Sequence, residues 1–252
     1  MTEIQILLKV RGKPNFVQIQ EMGRETDGTV FFSTDLYDGS LLDLLNQHKC
    51  LSEPVARSLM RQLLTGLGAL HDVGFVHRDV KPENILVSTG RDCSTIQVAL
   101  ADLGSAAPQN DPTMTGYVTS RFYRSPEMVF RDPNYGPKVD IWACGCVAFE
   151  VLTGVPLFPA KGEADLLLRM CSVLGSPPLD DERIQRMLHI SVSQIPPSFP
   201  KQSIRRWFAG TNTTVPSGDL ISLLEKLVCW VPDDRLDCAA ALRTEPFLKP
   251  SL

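Results

Sequence analysis

The stretch from Val76 to Val87, VHRDVKPENILV, determines how the rest of this sequence is interpreted. Asp79, Lys81 and Asn84 fall within six positions of one another, between two short apolar runs. A carboxylate, an ammonium group and an amide placed this densely in an otherwise buried segment predict a loop that belongs to an active site. The questions are which reaction it serves and whether the rest of the chain can support it.

The bulk composition excludes several classes of function. The chain has 252 residues with 43% hydrophobic content, which is enough for one large domain or two small ones with a real core. A net charge of -4 and a pI near 5.6 give no excess of basic residues, so we expect no nucleic-acid partner and no anionic membrane surface. The longest apolar stretch, 141–151, is interrupted by Gly145 and Glu150 and is too short to cross a bilayer.

The cysteines predict a reducing compartment. There are seven, an odd number, and none form a CxxC pair. Several lie in apolar runs, as small core residues do. The four histidines are scattered, so no zinc site is expected. No charged segment followed by an apolar run marks a secretory signal at the N-terminus, and we therefore expect an intracellular protein.

The first 36 residues have a different pattern from the remainder. EIQILLKV places Ile4, Leu7 and Leu8 on one face of a short helix. Two strand-like runs follow, FVQIQ at 16–20 and TVFFST at 29–34, separated by the turn formers of GRETDG. This region is predicted to contain one helix and a hairpin.

After Leu41 the pattern is helical. The longest helix begins at Ser52 as N-cap, has Pro54 in its first turn, and leads directly to the polar loop. Gly154 and Gly175 are expected to end two later helices. Further helices are predicted at 139–153, 163–174, 219–230 and 237–244.

Oxygen donors predict the metal. Asp79, Asn84 and Asp102 offer two carboxylates and an amide, a set that suits magnesium better than zinc. Phosphoryl transfer needs such an ion, a carboxylate to accept the hydroxyl proton, and a cation near the transferred phosphate. Asp79 and Lys81 could fill the last two roles.

The order of the motifs resembles that of the protein kinases. His77-Arg78-Asp79 is followed by Lys81 and Asn84, then by Asp102-Leu103-Gly104, then by Ser125-Pro126-Glu127. Lys81 is typical of serine/threonine kinases, so the resemblance implies Ser or Thr hydroxyls as acceptors, with ATP and Mg²⁺ as cofactors. It also implies an α+β kinase-like fold, with a partial N-lobe at 1–36 and a helical C-lobe at 37–252.

Most of the chain shares the resemblance. GYVTSRFYRSPEM at 116–128 is similar to the activation segment of the cyclin-dependent and mitogen-activated kinase group. VDIWACGCVAFEVLTGVPLFP is similar to that group's central helix, and WVPDDRLDCAAALRTEPFL to its closing helices. LADLGSA, a Thr-x-Tyr lip and SRFYRSPE most resemble the branch of MOK, MAK and ICK.

The resemblance assigns roles by position. For ATP it implies Glu3 as the helix glutamate, Thr34 as gatekeeper, Asp35 to Tyr37 as the adenine-reading hinge, and Leu86 beneath the adenine ring. Asp79 and Lys81 would be catalytic, and Asn84 and Asp102 metal ligands. An apolar stack joining the lobes would contain Leu7, Ile19, His77 and Leu103, although ordinary core packing explains those residues equally well. Structural support is assigned to Ser120, Glu127, Asp140 and Arg235, with Arg235 paired to Glu127.

The lip suggests regulation by phosphorylation. Thr115 and Tyr117 are spaced like a dual phosphorylation site. Arg78, Arg121 and Arg124 could receive the added charge and order the loop. An upstream activating kinase is then expected as a partner, although an unmodified Thr-Gly-Tyr turn is the alternative. Arg124 and Thr119 are also the positions that imply a proline after the target residue of the protein substrate.

The resemblance ends at the N-terminus. A glycine-rich loop and a strand lysine should precede the helix glutamate, yet Glu3 is the third residue and no GxGxxG occurs in the sequence. Lys9 and Lys13 follow Glu3 and are expected on the wrong element. Either the sequence is N-terminally truncated, or it is a kinase-like scaffold that works by binding. Cytoplasm, nucleus and cilium all fit the resemblance.

Overall fold

The computed structural model describes residues 3–90, 95–109, 121–187, 198–211, 213–244 and 247. The helices are α1 (Glu3–Lys9), α2 (Leu41–His48), α3 (Glu53–Asp72), α4 (Pro126–Val129), α5 (Lys138–Thr153), α6 (Glu163–Leu174), α7 (Glu182–Met187), α8 (Ile204–Ala209), α9 (Gly218–Leu227) and α10 (Cys238–Leu242). The strands are β1 (Ile19–Arg24), β2 (Val30–Thr34), β3 (Gly39–Ser40), β4 (Phe75–Val76), β5 (Ile85–Thr89), β6 (Ile96–Leu100) and β7 (Ala107–Pro108).

Two long helices form the centre of the helical part. The helix α3 is amphipathic and buries one face, which includes Leu59, Leu63 and Leu67. The helix α5 is buried at every position from Val139 to Thr153, as expected of a helix that is apolar on all sides. Since burying one large aliphatic side chain stabilises a fold by roughly 1.5–3 kcal/mol, these contacts fix the frame on which the loops are carried.

Short antiparallel sheets position the polar loop. Strands β3, β5 and β6 form one sheet in that spatial order, and β4 pairs with β7 in another. In the β5–β6 ladder Ile85 lies opposite Leu100. The ladder continues one step further, where the backbone N–H of Ala101 donates to the carbonyl of Asn84 at 2.9 Å. Asn84 and Asp102 are thereby held at the same end of one hairpin.

The strand predicted at 16–20 is misplaced in part, because β1 runs from Ile19 to Arg24. Phe16 and Val17 are buried and belong to a different contact: Phe16 bridges to Leu100, and the N–H of Val17 donates to the carbonyl of Leu100 at 3.1 Å. Tertiary pairing therefore overrides the local strand propensity. The turn is also later, between Glu25 and Thr29, with Gly28 at φ 90°.

The later helices agree with their predicted positions, with shifts at the ends. The helix predicted at 163–174 has those bounds, and that at 139–153 begins one residue earlier. The helix predicted at 219–230 ends at Leu227. The last one, predicted at 237–244, spans Cys238–Leu242 with Asp237 as its N-cap. Gly154 and Gly175 follow their helices with φ of 76° and 80°, as expected for terminating glycines.

Two further findings concern membrane-spanning helices and the cysteines. Within the described ranges, none of the helices combines the length and apolar character needed to cross a membrane. Free thiols are found at Cys50, Cys144, Cys146, Cys171, Cys229 and Cys238.

Candidate active site

One buried carboxylate anchors the polar loop. Asp140, at the start of α5, accepts the backbone N–H of His77 at 2.8 Å and that of Arg78 at 2.9 Å. Arg78 adopts φ 68°, a left-handed conformation that is uncommon without such support. Burial raises the pKa of Asp140, but the hydrogen bonds from the His71 ring and from the backbone N–H of His77 outweigh it, so that the pKa lies below its ordinary value. Asp140 therefore remains ionised and holds the loop from beneath.

The predicted catalytic residues form one cluster. The carboxylate oxygen Oδ2 of Asp79 accepts from Lys81 Nζ at 2.6 Å and from Asn84 Nδ2 at 3.0 Å. Asn84 Nδ2 also donates to the carbonyl of Asp79 at 2.9 Å. Asp79 and Asn84 are each only 7% exposed. The side chains of Asp79, Lys81 and Asn84 therefore lie close together, and direct hydrogen bonds fix their relative orientation.

His77 connects this cluster to the neighbouring loop. Its ring is fully buried, its Nδ1 accepts the backbone N–H of Asp79 at 3.3 Å, and its Nε2 donates to the carbonyl of Ala101 at 3.2 Å. Burial lowers the pKa of His77, so the ring is neutral in the folded protein. Because Ala101 precedes Asp102, this imidazole links the two segments that carry the predicted metal ligands.

Asp102 is held in a tight turn next to Asn84. It adopts a left-handed backbone conformation with φ 56°, and its side chain accepts the N–H of Gly104 at 3.3 Å. Since Asn84 Nδ2 faces Asp79, its amide oxygen is the atom left for a cation. Amide and carboxylate oxygens suit Mg²⁺. In the described part of the chain no group of three His, Cys, Asp or Glu residues could hold a metal. Asn84 and Asp102 are the candidate ligands that the sequence predicts, and the Asn84–Ala101 backbone bond holds their segments together.

Glu3 contacts this turn directly. Its carboxylate accepts the backbone N–H of Leu103 at 3.1 Å, while Leu103 and Leu7 are buried at 1% and 2% exposure. Lys9 lies elsewhere, over the ring of Phe75 at 5.1 Å. Among the described residues Glu3 forms no ion pair with a lysine. Glu3 is thus docked on the Asp102 turn through its carboxylate.

The predicted nucleotide residues lie along one connection. Thr34 ends β2, and Asp35 accepts from Gln20 Nε2 at 2.9 Å. The next residues join β5, where the N–H of Asp38 donates to the carbonyl of Val87 at 3.0 Å. Leu86, on β5, and Tyr37 are partly buried against the core. Burial, followed by the charge of Asp35, raises the pKa of Tyr37 above its ordinary value. The hinge segment and Leu86 are therefore brought together.

The three arginines predicted to receive phosphate are engaged by other groups. Arg78 Nε donates to the carbonyl of Ser105 at 2.6 Å, and Arg121 Nη1 to that of Lys161 at 2.8 Å. Arg124 Nη1 pairs with Glu163 at 3.0 Å. Thr115, Tyr117, Thr119 and Ser120 lie outside the described residues. The phosphorylation hypothesis stays a prediction.

The supporting residues include one buried ion pair. Arg235 Nη1 and Nη2 donate to the two carboxylate oxygens of Glu127 at 2.6 and 2.8 Å. The Arg235 side chain is 0% exposed and that of Glu127 2%. The guanidinium also lies 5.0 Å from the ring of Trp142. A bidentate pair in this setting fixes α4, which carries Glu127, against α5 and the segment that precedes α10.

Two polar residues near the site were missed from the sequence. Glu150, on α5, is 6% exposed and accepts from the hydroxyl of Tyr123 at 2.7 Å. Burial raises the pKa of both Glu150 and Tyr123. The available signal was a single acid within an apolar helix. His71, at the end of α3, donates from Nε2 to Asp140 at 2.8 Å, and only its place shortly before the polar loop could have indicated this.

The arrangement supports proton transfer next to a cation site. Asp79 can accept a proton from a hydroxyl, Lys81 can neutralise a nearby anion, and Asn84 and Asp102 can hold the ion. Magnesium, when held there by Asn84 and Asp102, would supply the positive charge that neutralises phosphate oxygens. These residues fit a reaction in which an alcohol attacks a phosphoryl group.

The sequence model of the protein kinase domain family matches residues 1–248 of this chain. Mitogen-activated protein kinase mpkC of Aspergillus oryzae is 35% identical over 98% of this chain and 68% of its own length. Serine/threonine-protein kinase ICK of Rattus norvegicus is 34% identical over 95% of this chain and 37% of its own length. Cyclin-dependent kinase F-3 of rice is 33% identical over 98% of this chain and 54% of its own length. This chain is therefore considerably shorter than these relatives.

A solved structure has the same fold. A chain of the yeast RNA Pol II CTD kinase CTDK-1 complex superposes with a TM-score of 0.85 and 26% sequence identity, covering 98% of this chain and 80% of that one. The α+β fold with a helical C-lobe that the motifs predicted is thereby confirmed.

Proposed function

This chain belongs to the protein kinase family, and from this premise we propose that it transfers the γ-phosphate of ATP to serine and threonine hydroxyls of proteins. One observation carries the proposal: Asp79, Lys81 and Asn84 are joined by direct hydrogen bonds next to the turn of Asp102. A module that only binds has no chemical need for all four groups. Relatives named as serine/threonine kinases support the same acceptor class.

The proposed roles follow from the contacts. Asp79 accepts the hydroxyl proton, and Lys81, 2.6 Å from it, neutralises the transferred phosphoryl group. Asn84 and Asp102 hold Mg²⁺, the cofactor that this family uses with ATP. Thr34, Asp35, Tyr37 and Leu86 would receive the adenine, and Glu3 keeps the Asp102 turn in place through Leu103.

Proline direction and control by the lip are finer parts of the proposal. Arg124, one of the two positions that the family resemblance links to a proline after the target residue, is 7% exposed and pairs with Glu163. Phosphorylation at Thr115 and Tyr117 by an upstream kinase would add charge close to Arg121 and Arg124 in sequence. A similar solved chain belongs to a complex, which supports a regulatory protein partner.

A binding function is the second candidate. Glu3 has no lysine partner within the described residues, and the sequence has no GxGxxG to cover phosphates. Positioning and charge neutralisation provide most of phosphoryl-transfer catalysis, so a protein of this fold that does not hold the phosphates would be several powers of ten slower and would act by binding instead. Free thiols at the six described cysteines support an intracellular place of action for either function.

The test is transfer from ATP to peptide. The full-length gene product, with Mg²⁺ and radiolabelled ATP, should phosphorylate peptides that contain Ser-Pro or Thr-Pro. We expect Asp79→Asn to lower the rate by about 10²–10⁴-fold, since the proton acceptor is removed with little change of shape. Asp180→Asn, at an exposed acid, is the matched control and should leave the rate unchanged.

The outcomes separate the two candidate functions. Turnover that survives Asp79→Asn would show that another group accepts the proton. Absence of both turnover and nucleotide binding in the full-length protein would establish the scaffold. Equal rates on Ser-Pro and Ser-Ala peptides would remove proline direction without affecting the kinase proposal.

A further inference from the structure

His71 lies between the anchoring carboxylate and a buried thiol. Its Nε2 is 2.8 Å from Asp140 Oδ2, and its Nδ1 is 3.7 Å from Cys238 Sγ, within hydrogen-bond range for sulfur. The His71 side chain is 12% exposed and Asp140 1%. Thiol, imidazole and carboxylate thus form a chain that begins on α10, passes through the end of α3 and ends at α5. Nothing in the proposed phosphoryl transfer uses Cys238.

The proton positions in this chain follow from Asp140. An ionised carboxylate can only accept, and Asp140 already accepts from the backbone of His77 and Arg78. The ring nitrogen of His71 that faces it must therefore carry a proton. A neutral imidazole then has an unprotonated Nδ1, which needs a donor. The S–H of Cys238 is the described group that faces it.

The environment of Cys238 keeps the thiol protonated, so that it can donate a hydrogen bond but does not react as a thiolate. It is 5% exposed, and burial raises the pKa of its thiol well above the ordinary range, with Cys144 and Asp140 acting in the same direction. The thiol thus keeps its proton, and a buried thiol of this kind is chemically inert.

The position of the sulfur is fixed by helix packing. Cys238 is the first residue of α10, whose N-cap Asp237 accepts the N–H of Ala240 at 2.6 Å. On α3, a Cβ added at Gly68 would lie 3.3 Å from Cys238 Cβ, so the two helices approach closely at this point. The thiol has little freedom to move away from His71.

We propose that Cys238 is a positioning residue: its S–H donates to the unprotonated Nδ1 of His71 and holds the ring in place, so that Nε2–H stays directed at Asp140 and Asp140 stays bonded to the backbone of His77 and Arg78. The path is Cys238 to His71, His71 to Asp140, and Asp140 to the amides of His77 and Arg78. Its consequence for turnover rests on the proposed kinase function. The geometry itself does not, and it can be measured without nucleotide.

The test uses the 252-residue chain with ¹⁵N-labelled histidine, which gives four residues to assign. At a pH above the imidazole range, the ring nitrogen shifts should show the Nε2–H tautomer of His71. In Cys238→Ala that tautomer should be kept, because Asp140 still accepts from Nε2, but the Nδ1 shift should move toward that of an imidazole nitrogen that accepts no hydrogen bond. Hydrogen exchange at the amides of His77 and Arg78 should accelerate by roughly five- to tenfold, as expected for a weakened hydrogen bond.

Two variants separate donation from packing. Cys238→Ser keeps an O–H donor and should resemble the unaltered chain at the His71 ring and at both amides. Cys171→Ala removes a fully buried thiol on α6 and should leave them unchanged. If Cys238→Ala changes neither the Nδ1 shift nor amide exchange, the proposal is wrong. A serine variant that behaves like the alanine variant would also overturn it, because sulfur packing would then explain the effect.

A measurement on the unaltered protein guards against variants that fail to fold. The infrared S–H band of Cys238, assigned by selective isotope labelling of this cysteine, should be shifted to lower frequency by donation to the imidazole. A band at the frequency of a free thiol would contradict the proposal without any substitution at this site. Absence of kinase turnover in the unaltered full-length protein, with the tautomer and the S–H band as expected, would instead count against the proposed function and not against the role of Cys238.

Discussion

The polar loop with its anchor Asp140, which we call the catalytic-loop region, differs from the N-terminal hairpin β1–β2 in what it buries. The former buries polar side chains, whereas the latter exposes apolar ones. In the former, His77, Asp79, Asn84 and Asp140 are all buried, and each is hydrogen-bonded to a neighbour in the region. In the hairpin the apolar side chains of Met22, Val30 and Phe31 are 49%, 48% and 46% exposed. Buried polar groups and exposed apolar ones are each costly, but for different reasons.

The difference shows what specifies this fold. A buried hydrogen-bonded network has one low-energy arrangement, since any displacement leaves a donor or acceptor unpaired. A two-stranded hairpin is marginally stable alone and depends on what covers it. Here it is attached through α1 and through Phe16 and Val17, which bond to Leu100. The helical part is therefore expected to hold its structure by itself, and the hairpin to depend on that attachment.

The largest effect should come from breaking the buried ion pair of the helical part. Arg235→Leu leaves the Glu127 carboxylate buried without its bidentate partner. We expect a loss of about 3–5 kcal/mol in the free energy of unfolding, the usual cost of an uncompensated buried charge. Chemical denaturation followed by circular dichroism measures it.

The matched control is an arginine on the surface. Arg183 pairs with Asp181 and Asp234 at 2.7 Å, but its side chain is 36% exposed, so Arg183→Leu should change stability little. Equal losses in the two variants would mean that burial does not distinguish these pairs. Stability would then depend on an exposed ion pair as much as on the buried one, contrary to the comparison above.

A smaller effect should locate the attachment between the two regions. Leu7 and Leu8 are adjacent on α1, yet Leu7 is 2% exposed and Leu8 44%. Leu7→Ala should cost about 2–3 kcal/mol, the lower part of the range for a buried leucine, because a short helix can relax around the cavity. Leu8→Ala should cost less than about 0.5 kcal/mol.

Hydrogen exchange shows where the loss occurs. In Leu7→Ala, amides of α1 and β1–β2 should exchange faster than in the unaltered chain, while those of α3 and α5 keep their protection. Uniform acceleration throughout would show that the hairpin and the helical part unfold as one unit, contrary to the comparison above.

The sequence predicted the helical part better than the hairpin. The helix at 163–174 and both terminating glycines follow from local rules of periodicity and capping, and the structure has them at those positions. The family motifs predicted that Arg235 would face Glu127, and that pair is present. Local pattern and family resemblance agree in this part because its core is continuous and helical.

The rest required contacts between residues far apart in sequence. Phe16 and Val17 read as a strand, but their partner is Leu100, more than eighty residues away, and no local pattern encodes it. The same holds for Cys238 and His71, separated by 167 positions. Glu150 was visible as an isolated acid, yet its partner Tyr123 could not be deduced. Side-chain pairing at long range is set by packing, which single-sequence patterns do not carry.

The smallest expected effect is a pH dependence to which two buried groups near the catalytic loop, His77 and Asp140, contribute. Burial lowers the pKa of His77, so the unfolded imidazole binds a proton near pH 6.5 while the folded one does not. The unfolded state then holds more protons, and the free energy of unfolding should fall as pH decreases below about 6.5. Asp140, with its lowered pKa, contributes stability that is present above about pH 4 and is lost as pH falls through its folded pKa.

Variants assign the two windows. Between about pH 6.5 and 5 the slope should be at most about 1.4 kcal/mol per pH unit, the limit for one proton, and His77→Phe should remove it. Asp140→Asn should flatten the curve only below about pH 4. In contrast, Asp27 in the hairpin turn is exposed, so Asp27→Asn should leave the slope near pH 6 intact. If His77→Phe retains the slope at pH 5–6.5, the buried ring is not its source, and the tight coupling of the catalytic loop to Asp140 loses its support.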